Sequence, residues 1–445
     1  MSAAVNVFTA SKSREKTSRD RLGLAFWLLV LFFAFEYLRP QTVFPPIAPL
    51  RLPLLMTLLM PLVWLAVADK RMLKDRLIVL HIAFIVLIAA SVLWAVNQYW
   101  VFETFKQMVA YFIAGTLPAA ALLINQRRLV AFFNSWIVIH ILIALWAITH
   151  EGQGMGSFLE DENDLSLALN MAIPYAYYLL QRPGQPIWRR LFYMAAVGIL
   201  ATAVVVSDSR GGFLGLMAVF FGIILFSRQR IRNLIVVCVL GLIGLAMVST
   251  EYIEEMRTIA DAEDSTRNDR LYSWRRGWEM FLDHPVVGVG ASNYPWRVVE
   301  YEVRSDEYRP GHVRLHGGRV AHSLYFTVIP ELGLVGILLF LSISWIMFRR
   351  LLELVRLDAK RHELFAHALE LPLLARAMVV SMFGLLVSGA FISVLYYPHI
   401  WVLIGFTLGL SAAVASSLPP EELGAFRKPL QGKSFAFKGS APTPL

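Results

Sequence analysis

A single cysteine, Cys238, is present in 445 residues. It excludes a disulfide within one chain and any thiolate-rich metal centre. Charge is also scarce: charged residues make up 16% of the chain and apolar residues 57%. Soluble domains carry about 25% charged residues, so a water-soluble enzyme of this length is excluded. The sequence shows no internal repeat and no inverted pair of interrupted apolar segments of the kind secondary transporters use. A basic, polar tail precedes the first apolar run, and no small-residue cleavage pattern follows that run. This predicts a retained span rather than a removed leader.

What is abundant is long apolar runs. A helix needs about 20 apolar residues to cross the hydrocarbon of a bilayer, or about 17 when its flanks snorkel. That criterion predicts twelve spans, near 22–38, 53–68, 77–96, 107–125, 129–149, 164–181, 191–208, 212–226, 234–250, 322–347, 374–396 and 400–417. The fold class is therefore an all-α polytopic membrane protein. Lys and Arg concentrate in the N-terminal tail, Asp69–Arg76, Gln126–Arg128, Gln181–Arg190, Ser227–Arg232, Arg349–Arg361 and the C-terminal tail. The intervening short linkers hold almost none, which predicts both termini in the cytoplasm. The formal charge of +9 is thus read loop by loop and implies no nucleic-acid partner. The organisation expected is a tail over 1–21, nine spans over 22–250, a large outer loop over 251–321, three spans over 322–417, and a Pro- and Gly-rich flexible tail over 418–445. Arg350–Leu371 mixes Leu with charge at helical spacing, which predicts an amphipathic helix on the cytoplasmic surface.

The outer loop lacks lysine altogether. Residues 251–321 contain ten Arg and no Lys, set among about thirteen Asp and Glu, with Trp274, Trp278 and Trp296 interleaved. Arginine's planar fork grips phosphate oxygens two at a time, and aromatic rings offer faces for sugars or for the guanidinium itself. An ordinary folded extramembrane segment would also tolerate such balanced charge.

Four features on the predicted outer side can carry chemistry. Ser207-Asp208-Ser209-Arg210-Gly211-Gly212 places Arg210 at a membrane boundary, where a charge costs at least ~2.5 kcal/mol unless it has a partner or ligand. Snorkelling or a structural ion pair would serve equally. Arg267–His284 carries Arg270, Trp274, Gly277 and Trp278 on one predicted helical face, with Arg275 and Arg276 to its sides. Asp283-His284-Pro285 and the Val286–Gly290 turn follow, and a glycine-rich turn can cradle phosphate. His322-Ser323 opens the tenth predicted span, where a neutral imidazole can accept a proton from an alcohol. His312 and His316 rank second to it. Finally, Glu160-Asp161-Glu162-Asn163-Asp164 could hold a divalent cation or simply cap a helix, and Asn163 could bind a ligand.

Together these motifs resemble the O-antigen ligase and O-antigen polymerase superfamily of bacterial envelopes. The matching pieces are Phe158-Leu159-Glu160-Asp161-Glu162-Asn163; Ser209-Arg210-Gly211-Gly212; Arg270-Leu271-Tyr272-Ser273-Trp274 with Asp283–Gly290; and His322-Ser323 followed by Glu331-Leu332-Gly333-Leu334-Val335-Gly336. The resemblance covers about 150–336. It implies a GT-C-like glycosyltransferase architecture with about 12 transmembrane helices and one large periplasmic loop containing helices. It further implies an inner-membrane enzyme taking a glycan from undecaprenyl diphosphate, with no cofactor and no metal, and with membrane lipids as its surroundings. A ligase passes that glycan to lipid A-core oligosaccharide; a polymerase or a protein O-oligosaccharyltransferase uses another acceptor. The family's catalytic residues map onto Arg210, Arg270 and His322. Arg210, Arg270, Arg275 and Arg276 would bind the diphosphate, and Asn163, Trp274, His284, Ser323 and Tyr325 would contact substrate. Arg39-Pro40-Gln41 resembles relatives in exosortase-containing bacteria, which leaves the acceptor open. A transporter or flippase is the rival from another class.

Overall fold

The computed structural model describes residues 22–227, 265–305, 317–360 and 368–418, with Ile231 and Phe365. The predicted span 234–250, both tails, and His312 and His316 lie outside the described residues. Among the described residues every regular element is a helix. In chain order they are α1 (Leu24–Leu38), α2 (Pro40–Val43), α3 (Leu52–Val67), α4 (Arg76–Ala90), α5 (Gln98–Ala110), α6 (Leu117–Leu122) and α7 (Gln126–Thr149). There follow α8 (Glu162–Leu180), α9 (Ile187–Val206), α10 (Arg210–Phe226), α11 (Ser265–Asp283), α12 (Tyr294–Arg304), α13 (Tyr325–Lys360), α14 (Glu370–Ser388) and α15 (Pro398–Ser417).

Seven described stretches are long and apolar enough to cross a membrane, while α1 and α10 are shorter apolar helices. Their surfaces demand lipid. Along α3 only Met60 is buried, while Leu54, Leu55, Leu58, Leu62 and Leu65 are exposed. In water each such side chain forgoes about 1.5–3 kcal/mol of burial; in hydrocarbon it forgoes almost nothing. The chain is a polytopic membrane protein.

At the centre stands α8, with every residue from Asp164 to Leu179 buried. It packs against α7, α9, α10 and α14. Lipid tails are as apolar as leucine, so close packing rather than the hydrophobic effect holds such helices together, and small residues let backbones approach. A Cβ at Gly215 of α10 would lie 1.8 Å from Ser388 Oγ, and one at Gly212 would lie 2.4 Å from Ser166 Cβ. Asn170 of α8 donates to the Gly212 carbonyl at 2.8 Å, and the Ser166 and Ser207 hydroxyls meet at 2.6 Å. Polar pairing thus fixes the depth at which α10 enters the bundle.

Three predicted elements take a different form. The run 107–125 lies in a helical course that begins earlier, at Gln98, passes through a π-helical turn at Tyr111–Thr116 and ends at Leu122. Secondly, α13 starts at Tyr325, bends at Gly333 (φ 59°) and continues to Lys360. The first half of the expected surface helix, residues 350–360, is therefore the end of this long helix, while residues 361–364, 366 and 367 lie outside the described residues. Its charges are tolerated because they are paired: Arg350 grips Asp75 through two contacts of 2.9 Å, and Asp358 pairs with Arg376 at 2.5 Å. Thirdly, the chain between α14 and α15 leaves helical form at Ile392, so the last two spans are separated by a turn over Ile392–Tyr397.

Candidate active site

The N-terminus of α8 organises the site. Asp161 caps the helix, accepting from Asn163 N at 2.8 Å. The Asn163 amide group donates to Asp161 at 2.8 Å and to Glu162 at 3.0 Å, which leaves its oxygen to accept from Ser209 Oγ at 2.7 Å. Ser209 in turn caps α10, accepting from Gly212 N at 2.8 Å. One amide therefore ties two helix N-termini together, and Arg210, half-buried, is the first residue after that tie. The cap of α8 is Asp161 rather than Asn163, and of the acidic run Asp161 and Glu162 are engaged in this joint.

From the other side comes the outer-loop unit. Trp274 on α11 stacks on Phe326 with ring centroids 5.2 Å apart, and its indole donates to the Ala321 carbonyl at 2.9 Å. This clamp fixes the residue immediately before His322. Arg270 lies four residues before Trp274, one turn along the same face, and is half-buried. Its charge is felt by both His322 and Glu162. His322 stays solvent-accessible and has left-handed backbone (φ 48°), an arrangement that costs about 1–3 kcal/mol and concentrates at functional sites. Burial by its surroundings is the largest cause pushing its imidazole below the usual 6.5; Arg270 and Arg319 push the same way and Asp161 opposes them. A histidine so placed is neutral at pH 7 and able to accept a proton.

The turn after α14 joins the two halves. Ser323 N donates to Ser393 Oγ at 3.3 Å, and Leu324 N donates to the Gly389 carbonyl at 2.7 Å. A Cβ on Gly211 would lie 2.8 Å from Phe391 Cβ, so this turn also touches the start of α10. Through these contacts Arg210, Arg270 and His322 converge on the acidic end of α8.

The remaining candidates are placed as follows. Arg276 is buried in the outer unit, held by Glu279 at 3.1 Å and the Tyr301 carbonyl at 3.3 Å, with Tyr272 beneath it. That engagement is structural. Arg275 is exposed. Trp278, expected on the Arg270 face, is 47% exposed, whereas Gly277 packs against Phe326, Tyr294 and Pro330. Ser323 is buried and accepts from Phe326 N at 3.3 Å, while the Tyr325 hydroxyl donates to the Leu386 carbonyl at 2.8 Å. His284 is exposed in the turn that follows α11.

The Val286–Gly290 turn has the donors of Gly288, Val289 and Gly290 spoken for by protein. Gly288 N donates to His284, Val289 N to the Pro330 carbonyl at 2.8 Å and Gly290 N to the Glu331 carbonyl at 2.9 Å. Instead of cradling phosphate, it docks the outer unit on the bend of α13. Glu331, buried at that bend, accepts from Ser292 N at 2.7 Å, Tyr294 N at 3.1 Å and the Tyr396 hydroxyl at 2.7 Å. Sequence reasoning noted Glu331 only as part of a motif, and it missed Arg319, Phe391 and Ser393. Arg319 stands three residues before His322 in the arginine-rich loop, and that proximity was the available signal.

Arg39 belongs to the same end of the bundle. It donates to the Glu36 carbonyl at 2.9 Å and to its carboxylate at 2.8 Å, and lies 5.7 Å from the Phe158 ring. Thr42 donates to the Met155 carbonyl at 2.6 Å, which fastens the first outer linker to the segment leading into Asp161.

With this geometry established, residues 195–341 match the family model described as O-Antigen ligase. No curated protein matches the chain. The family match covers the end of α9, all of α10 to α12 and the first half of α13, the stretch that bears Arg210, Arg270 and His322, and it supports the O-antigen ligase superfamily, whose members are membrane glycosyltransferase-like enzymes acting on lipid-linked glycans.

Proposed function

We propose that this protein is an O-antigen ligase of the inner membrane, transferring a glycan from undecaprenyl diphosphate to a sugar hydroxyl of lipid A-core oligosaccharide on the periplasmic side. The observation that carries the reading is the convergence of Arg270, a neutral-leaning His322 and the Arg210-bearing start of α10 on one end of the bundle. In the reaction the acceptor oxygen attacks the anomeric carbon, with inversion. The bond from that carbon to the diphosphate oxygen breaks, and its electron pair leaves on the diphosphate. Negative charge therefore grows on phosphate oxygens, where fixed guanidiniums in a site shielded from water each contribute about 3 kcal/mol. Arg210 and Arg270 take this role, and the exposed Arg275 can assist as the substrate enters. The acceptor's proton passes to the His322 imidazole.

Purified protein, reconstituted with lipid-linked donor and with each candidate acceptor supplied separately, tests this reading. Product is expected only when lipid A-core is present. Chain lengthening with donor alone would mark a polymerase instead, and glycan on an added protein acceptor would mark a protein O-oligosaccharyltransferase. Transfer is expected to persist in EDTA, because guanidiniums do the work a metal would otherwise do. Loss with chelator and recovery with magnesium would move the chemistry onto Asp161 and its acidic neighbours.

A further inference from the structure

At the end of the bundle opposite to His322 lies a cavity of about 620 Å³ that no step of glycosyl transfer uses. It forms where α7, α9 and α14 begin and α15 ends, and its walls include Asn125, Gln126, Arg127, Arg189, Glu370 and Ser416. The three helix N-termini each present partial positive charge there. Among the described lining residues Glu370 is the one carboxylate, buried and already taken: Arg182 pairs with it at 2.9 Å and Gln126 donates to it. Among the described residues, Arg127 and Arg189 line the cavity and Arg182 stands at its margin, three arginines to one acid. Arg189 lies 5.1 Å from the ring of Trp188, and Trp188, Ile187 and Leu191 beside it are 62%, 68% and 56% exposed. An arginine at the rim of a polar cavity, flanked by exposed apolar side chains of a membrane helix, sits where headgroups meet acyl chains.

We propose that this cavity binds the phosphate of an anionic phospholipid in the cytoplasmic leaflet. Basic pockets between membrane helices on the cytoplasmic side take such headgroups, and the linkers at this end are the Lys- and Arg-rich ones. The size admits a glycerophosphate headgroup together with water, and the exposed flank of α9 lets acyl chains remain in the bilayer. Asn134, held by the Tyr193 hydroxyl at 2.7 Å, and Ser416 supply neutral hydrogen-bonding groups for the rest of the headgroup.

The test is binding to the full chain in uncharged detergent, followed by thermal unfolding. Short-chain phosphatidylglycerol, the zwitterionic phosphatidylethanolamine with the same chains, and inorganic phosphate are titrated separately. Saturable stabilisation by phosphatidylglycerol alone is expected. The double variant Arg127→Gln/Arg189→Gln should weaken it about tenfold or more. Arg349→Gln removes an exposed arginine at the same end and should leave it unchanged. Equal effects of the two lipids, or equal loss in Arg349→Gln, would overturn the site. Saturation by inorganic phosphate as tight as by lipid would overturn the lipid as its source. The wild-type titrations decide the matter even if the double variant is recovered poorly, and they read binding, so their outcome is independent of whether the chain is a ligase.

Discussion

An arginine beside a histidine is an awkward neighbour for an imidazolium, and that awkwardness is useful here. Burial by the surrounding protein disfavours the protonated form of His322 most, and Arg270 and Arg319 disfavour it further. Because the folded value is lowered below 6.5, the base-competent neutral form is gained as pH rises through that lowered value and is complete near neutrality. The transfer rate should follow, climbing on an acid limb below 6.5 and level above it. Replacing Arg270 by Gln removes a positive charge, so the limb should move to higher pH in the residual activity; an unmoved or downward-shifted limb would dissociate Arg270 from His322. His322→Ala should cost roughly 100- to 10,000-fold in rate with the acid limb abolished. Arg210→Ala should cost roughly 100- to 1,000-fold. Lys at that position would restore only part, since a point charge does not match two phosphate oxygens as a fork does. At this scale, the sequence offered Arg210, Arg270, Arg275, Arg276 and His322 as candidates, and the family resemblance set Arg210, Arg270 and His322 apart. Neither showed that Asp161 spends itself on capping and on holding Asn163, or that Arg276 is locked by Glu279 and Tyr301. The capping is local, two residues along the chain, and so is the Arg276–Glu279 pair; only the Tyr301 carbonyl reaches Arg276 from 25 residues away.

Between residue and bundle, the outer unit depends on one bend. Gly333 has φ 59° and Gly288 φ 68°, and a Cβ on Gly288 would come within 2.4 Å of Glu331 carbonyl carbon. The two backbones touch, and Glu331 collects three donors at the junction. Removing that carboxyl strands buried donors, each costing about 1–3 kcal/mol. Glu331→Ala is therefore expected to lower the unfolding temperature and to open α11–α12 to protease while α14–α15 stay protected. Glu331→Gln keeps an acceptor and should lose less. Uniform cleavage across the chain, or none, would show that the clamp is not what docks the unit. The helices themselves were legible as apolar runs, and the boundaries of α7, α10 and α15 fall close to those the runs suggest. Apolar counting did not reveal the π turn at Tyr111–Thr116 or the continuation of α13 to Lys360. Each is decided by tertiary partners: the Thr116 hydroxyl donates to the Trp401 carbonyl at 3.0 Å, and Asp75 neutralises Arg350.

For the molecule as a whole, the decisive quantity is the side of the membrane on which each end lies. The bundle has two chemically distinct ends. One gathers Asp161, Arg210, Arg270 and His322; the other gathers Arg127, Arg182, Arg189 and Arg349 where helices begin or end. Positive-inside bias counts short linkers and predicts the second end in the cytoplasm; the arginines of a loop of about 70 residues do not count in that bias. Under the proposed function, a lipid diphosphate donor would then be met at the first end, outside the inner membrane. The chain's lone cysteine makes the arrangement directly measurable. In a Cys238→Ser background, Trp278→Cys on exposed α11 should react with a membrane-impermeant maleimide in intact spheroplasts. Arg349→Cys, also exposed, should react only after the membrane is opened. The reverse pattern would put His322 with the cytosol and remove the periplasmic reaction. Labelling of both sites in intact cells would mean that the two ends do not face opposite compartments, and the membrane-spanning arrangement itself would fail.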